Sequence, residues 1–148
     1  MNTKILHVLS LLLFFQSASS QTVVSRLTDY RKVIWDDDKE EFIREPLKQD
    51  FKSHNPKAII AFDEITFIDK DTSSIYLNSF VKEEGDSTVN IRIWEEAIHN
   101  GLECSVILFF YRQENYYSIR IIYDDYTGIE YYMNPLKVDT IPYKFQKS

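Results

Sequence analysis

The sequence predicts an α+β domain, with one or two N-terminal helices packed on a curved antiparallel sheet of about five to seven strands. The alternative it leaves open is a mainly-β, barrel-like fold. Three observations carry the prediction. Apolar residues between Thr22 and Trp35 recur at steps of three and four. From Pro56 onward the apolar period is two. Asn100-Gly101, both tolerant of positive φ, marks a two-residue hairpin turn in the second region.

The first helix is expected over Thr22–Trp35, with Val23, Val24, Leu27, Tyr30 and Ile34 on one stripe. Asp36-Asp37-Asp38 ends it. A second helical stretch has Ile43, Leu47 and Phe51 four apart, with Pro46 starting or kinking a turn. His54-Asn55-Pro56 closes this region, because the residue before a proline avoids the helical conformation.

Strands are then expected over Lys57–Phe67 and Ser74–Val81, joined by the acidic turn Asp69-Lys70-Asp71, with a further turn at Glu83–Asp86. Folding at Asn100-Gly101 pairs Ala97 with Cys104, Glu95 with Val106, Ile93 with Leu108 and Ile91 with Phe110, which places them on one face. The rival reading is a short helix over Trp94–His99 capped by Gly101. A turn at Glu114-Asn115 sets Phe110 opposite Ile119 and Leu108 opposite Ile121. A five-residue loop over Asp124–Gly128 sets Ile121 opposite Tyr131, whereas a two-residue turn would push Glu130 into the core. The result is a four-stranded meander from Thr88 to Asn134, with an added edge strand through Val138.

The other face of this meander carries Trp94, Ile107, Phe109, Tyr111 and Ile122 between polar residues. Either a second layer covers it or it is a ligand or partner surface. Eight of the ten tyrosines lie between Tyr111 and Tyr143. Tyrosine suits both strands and binding faces, so Trp94, Phe109, Tyr111, Tyr116 and Tyr132 are the candidate binding residues.

Residues 1–20 read as a secretory signal peptide: Lys4, an apolar run Ile5–Phe15, and the small-residue site Ala18-Ser19-Ser20. The run is shorter than the about 20 residues that span a bilayer. The expected mature chain is one domain over 21–148, secreted or periplasmic, with no membrane attachment. Removing residues 1–20 takes away Lys4 and no acidic residue, moving the net charge from −6 to −7. That charge repels phosphate backbones, so nucleic acid is not expected as a partner.

Chemistry-bearing motifs are sparse. Cys104 is the only cysteine, which excludes an internal disulfide and a multi-cysteine metal site; within its apolar run it reads as a buried, inert thiol. Asp69-Lys70-Asp71-Thr72-Ser73 begins like a calcium loop, but Ser74 and Phe80 stand where glycine and glutamate are required. Glu96 and His99 have di-iron spacing in a single copy, too few for such a centre. Asp63-Glu64 and Asp124-Asp125 are acidic pairs by composition alone. No metal, cofactor or catalytic residue is assigned. The leading functional expectation is an exported, non-enzymatic binding or interaction domain with an aromatic-lined pocket or face, taking a small ligand or a protein partner. The alternatives are a small hydrolase using acidic residues and an acidic inhibitor or immunity-type partner of a basic secreted protein.

Overall fold

The computed structural model describes residues 22–139, and the expected signal segment lies outside them. Every element is a strand: β1 (Thr22–Asp36), β2 (Glu41–Arg44), β3 (Lys57–Ile60), β4 (Glu64–Asp69), β5 (Asp71–Gly85), β6 (Val89–His99), β7 (Leu102–Tyr111), β8 (Tyr116–Tyr123) and β9 (Thr127–Asp139). The sheet runs β2-β1-β3-β4-β5-β6-β7-β8-β9, and β9 pairs back onto β1. Eight strands therefore close an antiparallel, up-and-down barrel, with β2 as an extra strand along the far half of β1. This corrects the α+β expectation. The chain follows the barrel-like alternative, and no helix occurs among the described residues.

The N-terminal helix fails for a legible reason. β1 is a strand with register shifts between Val24 and Ser25 and between Leu27 and Asp29. The second shift leaves Thr28 as an extra residue on β1 and resets its alternation, whereas the first leaves the extra residue, Leu136, on β9. The barrel-facing side of β1 holds Val23, Ser25 and Leu27, then Tyr30, Lys32 and, at the open end, Ile34. Because Ser25 and Lys32 are polar, the apolar members fall at steps of four, three and four, which is a helical spacing without a helix. The second expected helix is β2 followed by a loop. Ile43 and Leu47 are exposed, while Phe51 is tucked against the barrel mouth.

The hairpin at Asn100-Gly101 forms, with φ of 53° and 76° and His99 opposite Leu102. Ala97 pairs with Cys104 as the sequence indicates. Beyond it a register shift between Trp94 and Ala97 flips β6, so Trp94 opposes Val106 and Ile93 opposes Ile107. Trp94 thus points into the barrel, 3% exposed, and Ile91 and Ile93 turn outward. The later pairings are two residues off the expected register: Leu108 opposes Ile119, and Ile121 opposes Ile129. A shift of two keeps each side chain on its expected face.

An eight-strand barrel is just wide enough for its own side chains to fill. Here Leu27, Ile65, Phe67, Ile75, Trp94, Val106, Leu108, Ile119, Ile121 and Met133 form the interior. At about 25 cal/mol per Å² of buried apolar surface, this shared core is the main stabilising term.

Candidate functional site

The short β3 pairs only Val23 to Arg26 of β1, so β1 runs on past it and leaves a gap in the barrel ring. The chain from Glu45 to Pro56 crosses this gap as a strap. Tyr30 and Lys48 exchange two backbone hydrogen bonds of 3.0 and 2.8 Å, and the Leu27 N–H donates to the Pro56 carbonyl at 3.0 Å. On the other side of the gap, the Asp69 carboxylate accepts the backbone N–H groups of Lys52 and Ser53 at 3.0 and 2.6 Å. The strap is therefore pinned to β1 on one side and to the β4–β5 turn on the other.

Beneath it lies a solvent-open pocket of about 340 Å³, lined by Leu27, Tyr30, Phe67 and Tyr131 from the barrel, Asp50, Phe51 and Lys52 from the strap, and Asp69, Asp71, Thr72 and Ser73 from the turn. Its rings form a continuous row: Phe51 to Tyr30 at 5.3 Å between centroids, Tyr30 to Tyr131 at 6.0 Å, and Tyr131 to Phe67 at 4.6 Å. The Tyr30 hydroxyl donates to Asp50 at 2.6 Å. This bond, more than partial burial, pushes the tyrosine up to about 12 and holds the Asp50 carboxyl below its ordinary value.

Behind the ring row, inside the barrel, the His99 Nδ1 and the Tyr123 hydroxyl share a 2.7 Å hydrogen bond. His99 Nε2 is buried with no partner among the described residues. Burial alone lowers the His99 pKa, so the ring is neutral. Burial also raises Tyr123 to about 12 and Cys104 to about 11. Cys104 is therefore a thiol at neutral pH, in agreement with the inert reading.

The five candidate residues separate. Trp94 is core. Phe109, Tyr111, Tyr116 and Tyr132 share the outer face of β7, β8 and β9, half-buried, with Tyr111 stacked on Tyr116 at 4.5 Å and on Phe109 at 6.2 Å. Next to them Glu130, also on the outer face, is 3% exposed. Its Oε2 accepts Arg31 Nε at 2.8 Å and the Tyr132 hydroxyl at 2.9 Å, and lies 3.6 Å from Arg44 Nε. Its Oε1 accepts Arg120 Nε at 2.7 Å. Arg120 lies over the rings of Phe42 and Phe109 at 4.8 and 5.3 Å. Burial raises the Glu130 pKa, but the Arg31 hydrogen bond and the Arg120 charge outweigh it and hold the carboxyl below its ordinary value. Gly128 lets β1, β9 and β8 close over this spot, because a Cβ there would run into the Ile121 carbonyl oxygen and crowd Val33.

Neither acidic pair, Asp63-Glu64 or Asp124-Asp125, brings both its members into one of the two pockets. Asp125 caps its own turn through Thr127. Asp124 lines a smaller hollow of about 200 Å³ with Glu95, Glu96 and Glu103 at the β6 bulge. Among the described residues no three His, Cys, Asp or Glu side chains are grouped to hold a metal ion. Sequence reasoning misses the mouth residues Asp50, Phe51, Asp69 and Asp71. The Asp69–Asp71 turn is visible in the sequence, but nothing there brings a strap to it. No known protein-family model matches the chain, and no curated protein matches it.

Proposed function

We propose that the chain is a non-enzymatic binding protein that holds a small organic ligand in the strap-covered mouth of the barrel. The observation that carries this reading is the pocket of about 340 Å³, in which four aromatic side chains and a few polar groups converge. Barrel mouths are common places for such sites, and a mostly apolar lining with a few placed polar groups is their usual make-up. The hydrolase alternative has less support. A carboxyl acting as general acid needs a raised pKa. The displaced carboxyls here, Asp50, Asp86, Asp125 and Glu130, are all held low. The inhibitor alternative needs a flat acidic and aromatic patch; the aromatic face beside Glu130 is instead rich in arginine.

The residue pattern of the first twenty positions supports export, so the ligand is met outside the cytoplasm. Intact mass of the protein from its native host checks this: loss of residues 1–20 is expected, and a full-length cytoplasmic species would count against it. Binding is checked by two-dimensional NMR of the protein against a library of small organic fragments. Shifts should cluster at Leu27, Tyr30, Phe67 and Tyr131. Hits gathered on the outer face, or no hits, would refute the mouth as the site.

A further inference from the structure

Resting on the mouth being a ligand site, we infer that its ligand is an organic cation, with one positive nitrogen on an apolar body. Two independent properties of the pocket converge on this class. The first is the ring row from Phe51 through Tyr30 and Tyr131 to Phe67, with neighbouring centroids 4.6 to 6.0 Å apart. The faces of such rings are negative and attract a cation within about 6 Å. They also accept an apolar body alongside it. Tyr30, donating its hydroxyl proton to Asp50, keeps an electron-rich ring.

The second property is charge. The lining contains three carboxylates, Asp50, Asp69 and Asp71, against the single ammonium of Lys52, with Lys48 acting on Asp50 from outside the lining. Asp50 and Asp69 are engaged by Tyr30 and by the strap's backbone N–H groups. Asp71 makes no side-chain hydrogen bond or ion pair with a described residue, so its carboxylate is available at the rim. A concave wall with this balance focuses a negative potential and disfavours anions. No metal-holding group of side chains lies there among the described residues.

The test holds the body constant and varies the charge: phenethylammonium, 2-phenylethanol and 3-phenylpropionate, titrated into the protein at neutral pH and low salt. Binding is read from the NMR shifts of the mouth residues. The cation should bind about tenfold more tightly than the alcohol, and the carboxylate should be weakest. Salt should erode the cation's advantage. Asp71→Asn should lower affinity for the cation severalfold and leave the alcohol unchanged. An alcohol or carboxylate that binds as well as the cation would overturn the inference while leaving the mouth a binding site. If the three probes leave the mouth unmoved but other fragments fill it, the charge assignment alone fails. If nothing fills it, both readings fail.

Discussion

The mouth and the outer face of β8 and β9 are built from the same ingredients with opposite charge. The mouth sets four rings beside three carboxylates and one lysine. The outer face sets Phe42, Phe109 and Tyr132 beside three arginines and one glutamate. By charge count the outer face looks the more ready to bind. Its geometry says otherwise, because Glu130 is buried and takes up two guanidinium groups and a tyrosine hydroxyl. Those groups satisfy each other and tie β1, β9, β8 and β2 together across the seam where the barrel closes. At the mouth, by contrast, a concave space remains and Asp71 is unspent. On the proposed reading, a charged aromatic cluster is a site only where its polar capacity is not consumed by the fold.

The largest expected effect tests that division. Glu130→Ala leaves two mostly buried guanidiniums unpaired and should cost about 3–5 kcal/mol of stability. Asp71→Asn should change stability by less than about 0.5 kcal/mol, as is usual for surface substitutions. Denaturant unfolding of both variants measures the contrast. Similar losses in the two would mean that the outer cluster is not structural or that the mouth is.

Acidification should separate the outer cluster from the polar pair behind the mouth. The His99 pKa is lowered from 6.5 by burial, so folding excludes a proton that the unfolded chain accepts. Its contribution is complete above about pH 6.5 and is lost as pH falls toward its folded value. Glu130 is lowered from 4.5, so its contribution is complete above that value and is lost only at more acid pH. Stability should therefore fall in two stages from neutral pH downward. His99→Gln should remove the first stage, and Glu130→Ala should shrink the second, to which Asp50, Asp86 and Asp125 also contribute. A stability profile flat between pH 7 and 5 would contradict the buried neutral histidine.

These two regions are unequally legible in the sequence. The tight turn at Asn100-Gly101 and the alternation from Thr88 onward identify the meander, since turn chemistry and period are local properties. The outer-face grouping of Phe109, Tyr111, Tyr116 and Tyr132 follows from the same alternation. Alternation alone misplaces Trp94, because the bulge at Glu95 and Glu96 flips β6, and a bulge leaves no composition signal in a polar pair. β1 imitates a helix because one bulge at Thr28 and the polar residues Ser25 and Lys32 leave its apolar residues at helical spacing. The mouth is illegible for a deeper reason. Its lining joins positions as far apart as Leu27, Asp71 and Tyr131, brought together only by closure of β9 onto β1 and by the strap.

The smallest effect concerns the strap. Tyr30→Phe removes the donor to Asp50, so the Asp50 pKa should rise toward its ordinary value. The backbone bonds between position 30 and Lys48 remain, so global unfolding should hardly change. What should change is local opening, because exposed segments held by few bonds open independently of the core. In the variant, amide hydrogen exchange at position 30 and at Lys48 should speed up severalfold, while the β8 amides around Ile119 and Ile121 keep their protection. Acceleration spread evenly over both regions would show that strap and barrel open as one unit, and the contrast between a locally held mouth and a globally held seam would be lost.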